Sequence, residues 1–225
     1  MVDSVLRCAK FARSEMGSLK HPFTMVVSGP TKAGKTVWVK NLVQNAESMI
    51  TPTPRVVYWC YSEWQPIYNK LRSCNADIRF SQGLPDLHEL RGTPEIAKFL
   101  ILDDFMDEMK KDKRLTQMFM KGSHHWNTSI VHIVQNLFYD GLRTSRVNAQ
   151  YLVLMKNPSD QLQAATLAKQ LCPGRTPFFM EAYRDACRES YGYLFLDLCQ
   201  DTPEKMRLRT NIFPGQLQVV YVPKV

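Results

Sequence analysis

Runs of apolar residues alternate along the chain with segments of helical periodicity. The apolar runs predict strands at residues 23–28, 55–60, 77–80, 99–104, 129–134, 151–155, 193–198 and 219–222. Helices are predicted at 36–47, 107–121 and 177–189, with a short helix ending near 73 and another, capped by 156–160, ending at 171. Strands that alternate with helices indicate an α/β fold with a central, mostly parallel β-sheet flanked by helices.

The first 22 residues lack a sustained apolar pattern, and His21 and Pro22 separate them from the first predicted strand. We therefore expect residues 1–22 to form an N-terminal arm, either helical or a loose tail. Residues 23–225 are expected to form one domain, because α/β domains often reach this length.

A phosphate-binding pattern, G-x-x-x-x-G-K-[ST] (Walker A), lies between the first predicted strand and the first helix. Its glycines allow a tight turn in which backbone N–H groups point at a polyphosphate, and the helix adds the positive end of its dipole. Lys35 would reach the β- and γ-phosphates, and the Thr36 hydroxyl would ligate Mg²⁺. The sequence therefore predicts that ATP binds at Gly29, Pro30, Thr31, Lys32, Ala33, Gly34, Lys35 and Thr36.

Two carboxylates, Asp103 and Asp104, follow four apolar residues in the predicted strand at 99–104 (Walker B). A buried parallel strand delivers acids in this way to the active edge of a sheet. We expect Asp103 to hold Mg²⁺ together with Thr36. Asp104 would orient or deprotonate the attacking water.

Polar residues follow two further predicted strands. Glu63 comes after the strand at 55–60 and would orient water or sense the γ-phosphate, although a place in the first turn of a helix accounts for it equally well. Gln135 follows the strand at 129–134, where an amide can contact both the γ-phosphate and water. An ordinary turn residue is the alternative for Gln135.

Basic residues occur in two segments. Arg143 and Arg146 lie in a predicted polar loop, 141–146, and are candidates for an arginine finger that reaches the nucleotide of a neighbouring subunit. Surface arginines are the alternative. The helix at 107–121 has either a solvated face or a DNA-contacting one, formed by Lys110, Lys111, Lys113 and Arg114.

Composition narrows the functional classes. The net charge of +8 over 225 residues suits a polyanionic partner such as nucleic acid. The six cysteines contain no C-x-x-C pair, which predicts reduced thiols in a cytosolic or nuclear protein. His124 and His125 lack a second pair of metal ligands at a usable spacing. The chain has no run of 18 apolar residues, so we expect it to be neither secreted nor membrane-spanning.

The order of these segments resembles the DNA-packaging ATPases of the FtsK-HerA superfamily, found in double-stranded DNA viruses and Polinton-type transposons. The likeness runs from about residue 20 to about 215 and rests on the phosphate loop, the segment 61–65, the acid pair, the strand ending in Gln135-Asn136, the segment 141–144 and Lys156-Asn157-Pro158. It implies a P-loop NTPase fold of the RecA/ASCE type and an ATP-hydrolysing, Mg²⁺-dependent motor. Such motors form homo-oligomeric rings that move double-stranded DNA into a capsid. The resemblance therefore implies DNA and capsid proteins as partners and no association with a membrane.

The resemblance also assigns roles and a location. Lys35 and Thr36 match the phosphate-loop pair, Asp103 and Asp104 the acid pair, Gln135 the polar sensor and Arg143 the expected arginine. Ser159 stands where the family pattern has a second arginine, which puts more weight on Arg143. The implied location is intracellular, in the host nucleus or a viral factory, with the virion as a further site.

Three other functions fit parts of the pattern. A nucleotide kinase would need a lid with several arginines, and Arg143 and Arg146 are too few. A helicase would share the motor core but should carry further helicase motifs. A capsid-associated scaffold would bind nucleotide without hydrolysing it, so that Asp104→Asn would change nothing measurable.

Overall fold

The computed structural model describes residues 6–11, 17–72, 77–105, 118–119 and 125–224. Residues 107–117 and 120–121 of the predicted helix, including its basic residues, and His124 lie outside the described residues. The strands are β1 (Leu6–Phe11), β2 (Leu19–Lys20), β3 (Thr24–Ser28), β4 (Ile50–Thr51), β5 (Val56–Tyr61), β6 (Asp77–Gln82), β7 (Lys98–Asp103), β8 (Thr128–Val134), β9 (Tyr151–Met155), β10 (Tyr193–Asp197), β11 (Leu208–Thr210) and β12 (Gln218–Pro223). The helices are α1 (Lys35–Gln44), α2 (Ala46–Met49), α3 (Leu87–Arg91), α4 (Arg143–Val147), α5 (Leu162–Leu171) and α6 (Thr176–Ala186), with 3₁₀ turns at Pro66–Lys70 and Glu204–Met206.

One large mixed sheet forms the centre of the fold, with the strand order β1-β12-β11-β10-β9-β3-β8-β7-β5-β6. The six strands from β9 to β6 are parallel to one another. From β9 to β1 each neighbouring pair is antiparallel. The predicted α/β fold with a mostly parallel sheet is confirmed.

Both faces of the sheet are buried, which explains why its central strands are almost wholly apolar. Alternate residues of β3 enter different cores, Val26 on one face and Met25 and Val27 on the other. The face with Met25 and Val27 is covered by α1, whereas α5 and α6 cover the other face. Helices therefore cover parts of both faces of the sheet, and the ends of its strands lie between them.

The N-terminal segment and the segment 141–146 differ from the expected local structure. The described part of the N-terminal segment is neither helix nor loose tail, because β1 pairs with β12 along its whole length and forms the edge of the sheet. The C-terminal strand β12 is therefore an inner strand, between β11 and β1. The segment predicted as a loop at 141–146 instead contains helix α4. The division into an arm and a domain at residue 22 stays a prediction.

The described residues contain no helix long and apolar enough to cross a membrane. The described cysteines, Cys8, Cys60, Cys172, Cys187 and Cys199, are free thiols. Within the same part of the chain, no group of His, Cys, Asp and Glu side chains is arranged to hold a metal ion by itself.

Candidate nucleotide-binding site

The strand order brings three sequence segments together at the carboxyl ends of the parallel strands. β3 lies between β8 and β9, and β7 lies on the far side of β8. The chain leaves β3 toward β5 on one side, whereas β9 lies on the other side of β3. Ligands of open α/β sheets bind at the carboxyl ends of strands at such a reversal, and the loops after β3, β7 and β8 meet there.

The loop after β3, residues 29–36, is held tightly between two strands. The N–H of Gly29 donates to the carbonyl of Val134 at 3.2 Å, which ties the loop to the end of β8. A Cβ atom at Gly29 would lie 2.6 Å from Cβ of Met155, so only glycine fits beside the end of β9. Gly34 caps α1 with a left-handed backbone, φ 92°. These positions explain both glycines of the motif.

The ammonium group of Lys35 lies across the loop. Its Nζ donates to the carbonyl oxygens of Gly29 at 2.7 Å and Pro30 at 2.9 Å. Burial lowers the pKa of Lys35, while the negative charges of Asp103 and Asp104 raise it. A phosphate group in the loop would offer this ammonium a charged acceptor in place of two neutral carbonyls.

Thr36 and Asp103 meet beneath the loop, although 67 positions separate them in the sequence. The Thr36 hydroxyl donates to Oδ2 of Asp103 at 3.2 Å, and the Tyr68 hydroxyl donates to the same oxygen at 2.9 Å. Burial raises the pKa of Asp103 to about 6, against the lowering effect of these two hydrogen bonds. A hydroxyl and a buried carboxylate are hard oxygen ligands of the kind Mg²⁺ takes beside phosphates, so this pair fits the cation.

Asp104 and Gln135 form a second pair at the same edge. Asp104 follows the end of β7 with a left-handed backbone, φ 66°. The side-chain amide of Gln135 donates to Oδ1 of Asp104 at 3.3 Å. Both side chains are exposed, so water can reach the carboxylate. The two residues that the sequence predicts near the attacking water therefore lie in contact with each other.

Glu63 lies near this edge but apart from both pairs. It follows the end of β5, where Tyr61 is aligned with Asp103 of β7. Glu63 is exposed, and no described residue forms a hydrogen bond or an ion pair with it. Its catalytic role stays a prediction.

The two candidate arginines differ in their surroundings. Arg143, the first residue of α4, is exposed and forms no hydrogen bond or ion pair with a described residue. Arg146 packs within its own chain, with its guanidinium 4.5 Å from the ring centre of Phe138 and bonded to Gln170 at 2.5 Å. Burial, together with the charge of Arg143, lowers the pKa of Arg146.

The carboxyl end of α4 lies away from the phosphate loop of its own chain. The segment just after α4 bonds to Thr24, at the amino end of β3, through the carbonyl of Asn148 at 2.5 Å and the N–H of Gln150 at 2.9 Å. The phosphate loop follows the opposite end of this strand. The carboxyl end of α4 therefore lies at the far edge of the sheet, and the described contacts place neither arginine against residues 29–36.

Tyr68 is the site residue that sequence reasoning missed. It lies in the 3₁₀ turn after β5 and is fully buried. Its ring packs against Trp59, Tyr61, Trp64 and Phe80. An aromatic-rich segment after a strand usually indicates packing alone, so the sequence offers no signal for the contact with Asp103.

The comparison with solved structures decides the fold. The chain is similar to the genome packaging NTPase B204 from Sulfolobus turreted icosahedral virus 2 in complex with ATP-gammaS, with a TM-score of 0.52 and 11% identity over 90% of this chain and 98% of that chain. The B204 complex with sulfate has a TM-score of 0.52 and 12% identity, over 91% of this chain and 98% of that chain. This chain therefore shares the fold of B204.

The complex of B204 with AMPPCP gives the same TM-score of 0.52 at 11% identity, over 80% of this chain and 95% of that chain. No family model matches this sequence, and no curated protein matches it significantly. The predicted resemblance to packaging ATPases is confirmed as a likeness of fold.

Proposed function

We propose that this protein is an ATP-hydrolysing motor that moves double-stranded viral or virus-like DNA into a capsid. The observation that carries the proposal is the contact between Thr36 and Asp103 beneath the phosphate loop, 3.2 Å long. It joins the two halves of an NTPase site that the sequence predicts separately. The fold of B204, a genome packaging NTPase, supports packaging as the use of that site.

The site residues divide the work of hydrolysis. Backbone N–H groups of residues 29–36 and the Lys35 ammonium bind the phosphates of ATP. Thr36 and Asp103 would hold Mg²⁺, which would neutralise charge on the phosphates of ATP. Asp104 orients the attacking water and accepts its proton, and Gln135 fixes the position of the Asp104 carboxylate.

A ring of subunits completes the site. Arg143 is exposed on α4, outside the contacts of its own phosphate loop, whereas Arg146 is bound by Phe138 and Gln170. Arg143 therefore acts on the nucleotide of a neighbouring subunit, where it stabilises charge on the transferring phosphoryl group. This arrangement links hydrolysis at one subunit to the position of the next.

The second substrate is double-stranded DNA held by its phosphates. The net charge of +8 favours a polyanion. A packaging motor has to move any base sequence, so binding should depend strongly on salt and little on sequence. The work takes place inside the infected cell, in the nucleus or a viral factory, at the capsid.

The test is the ATPase rate per subunit against protein concentration, with and without double-stranded DNA. A ring motor predicts that the rate rises with both. Mixing Arg143→Ala into wild type should lower the rate more than in proportion to the mutant fraction, because each mutant subunit disables a neighbour's site and the linked subunits of the ring then stall. Arg175→Ala, another exposed arginine, is the matched control and should leave the rate unchanged.

The opposite results separate the alternatives. A rate that is flat with concentration and insensitive to DNA would favour a monomeric NTPase such as a nucleotide kinase. Loss of activity in strict proportion to the Arg143→Ala fraction would reject a ring in which hydrolysis at one subunit is linked to the next. Hydrolysis retained in Lys35→Ala would reject the phosphate loop as the active site.

A further inference from the structure

Tyr191 places an exposed aromatic ring beside the phosphate loop. A Cβ atom built on Gly34 would lie 3.1 Å from Cδ1 of Tyr191, so the ring borders the residue that begins α1. The side chain is nevertheless 67% exposed. Tyr193, two residues later, is buried against Trp38 and Phe213. Tyr191 is thus excluded from the core and faces solvent at the site.

The backbone holds this ring in place at an energetic cost. Tyr191 has φ 60°, a left-handed conformation that is unfavourable for a bulky residue and persists only when surrounding contacts impose it. Gly192 follows it, and a Cβ atom there would lie 2.5 Å from the carbonyl oxygen of Ala186. The turn is therefore closely packed against the end of α6.

Lys156 fixes the same turn to the sheet. Its Nζ donates to the carbonyl oxygens of Arg188 at 2.8 Å and Glu189 at 3.3 Å. Its backbone N–H donates to the carbonyl of Gly192 at 2.8 Å. Lys156 directly follows β9, the strand beside β3, from which the phosphate loop emerges. The ring of Tyr191 and the phosphate loop are therefore anchored to adjacent strands.

We propose that Tyr191 stacks on the base of the nucleotide bound in the phosphate loop, an inference that rests on the proposed function. The loop would bind the phosphates of a nucleotide, and residues 29–36 include no aromatic side chain to stack on its base. An exposed, preorganised aromatic ring at the rim of the loop supplies one. Val37, on the first turn of α1, adds an exposed apolar side chain near the same rim. Because every base has a π-face, stacking at Tyr191 binds adenine and guanine nucleotides alike.

The experiment measures equilibrium binding of ATP, GTP and inorganic triphosphate to the full chain without Mg²⁺, by competition with a fluorescent ATP analogue. Tyr191→Asn removes the ring at a position where asparagine tolerates the left-handed backbone. Tyr191→Phe keeps the ring. Leu217→Asn, which removes an apolar side chain that is 63% exposed, is the matched control. Thermal unfolding of each variant checks that it folds.

Stacking predicts that Tyr191→Asn weakens binding of ATP and GTP by about tenfold each. Inorganic triphosphate binding should remain unchanged, and Tyr191→Phe and Leu217→Asn should match wild type. Equal weakening for triphosphate and ATP would overturn the inference, because Tyr191 would then act through the shape of the loop. Unchanged ATP binding in a folded Tyr191→Asn would also overturn it. Wild type that binds none of these ligands would instead reject the proposed function.

Discussion

The hydroxyl of Tyr68 donates a hydrogen bond of 2.9 Å to Oδ2 of Asp103, the oxygen that also accepts from Thr36. The tyrosine therefore orients the carboxylate assigned to Mg²⁺ without occupying a ligand position. Its ring is fixed among aromatic neighbours, including Trp59 at 5.5 Å between ring centres. Two hydrogen bonds thus hold the Asp103 carboxylate, the proposed Mg²⁺ ligand, in one orientation.

Replacing Tyr68 with Phe should raise the Mg²⁺ concentration needed for half-maximal hydrolysis by about tenfold, the usual cost of losing a residue that orients a metal ligand. The ring and its packing are retained, so thermal stability should change little. Tyr58→Phe is the control, because it removes a hydroxyl bonded to Glu89, outside the site. An unchanged Mg²⁺ requirement in Tyr68→Phe would show that Asp103 needs no support.

Gly29→Ala should destabilise the fold by about 1–3 kcal/mol and weaken nucleotide binding, because the new methyl group would overlap Met155. The residues that would have to move lie in the phosphate loop itself. Gly17→Ala provides the control, since a Cβ atom there meets nothing within 4 Å. Urea unfolding and ATP binding measure the two effects. A fully stable Gly29→Ala would mean that the loop can move away from β9.

Arg143→Ala should lower turnover by about 10³-fold while leaving thermal stability and ATP binding unchanged. Arg146→Ala should keep its turnover and instead lose about 1 kcal/mol of stability. The guanidinium of Arg146 packs on Phe138 and bonds to Gln170, and both contacts are lost in the variant. Single-turnover hydrolysis and thermal unfolding of both variants make the comparison. Should Arg146→Ala lose turnover and stay stable, the finger would be Arg146.

His132 should make the protein less stable in acid. It is fully buried on β8, and neither ring nitrogen has a hydrogen-bond partner among the described residues. Burial lowers its pKa to about 3, whereas the pKa in the unfolded chain is about 6.5. Between these values the unfolded chain binds a proton that the folded chain excludes, so stability falls as the pH falls. The loss from His132 at pH 5 is about 2 kcal/mol.

The measurement is urea unfolding of wild type and His132→Leu at pH 7 and pH 5. The variant removes the titrating ring, so its advantage over wild type should grow by about 2 kcal/mol at the lower pH. Other buried groups, such as His21, titrate in both proteins and cancel in the difference. His88→Leu, at an exposed position, is the control. A pH-independent difference would contradict the assignment to His132.

The sequence predicts the parts of this molecule that local pattern determines. Strand β9 has the predicted bounds, Tyr151–Met155, because its apolar run is sharply limited by polar neighbours. The acid pair was predicted because an apolar strand ending in carboxylates is a local signal. Helix α4 was missed because polar residues and the adjacent Gly141 indicate a loop, and the packing of Arg146 on Phe138 is a tertiary contact.

Long-range pairing accounts for what remained unpredicted. The role of Tyr68 depends on the pairing of β5 with β7, which aligns Tyr61 with Asp103. Strand β1 depends on β12, more than 200 positions away, and its burial does not alternate regularly, so its residues carry little strand pattern. Tyr191 borders the phosphate loop only because β10 pairs with β9. No local sequence pattern encodes these contacts.

The left-handed backbone of Asp104 has a consequence for the adjacent acids. Consecutive residues of an extended strand point to opposite faces of a sheet, so a regular continuation of β7 would offer only one of the two carboxylates to a ligand. The positive φ of Asp104 ends that alternation one residue after Asp103, the last residue of β7. A single peptide unit thus divides two chemically identical side chains into a buried one, suited to a cation, and a solvated one, suited to water.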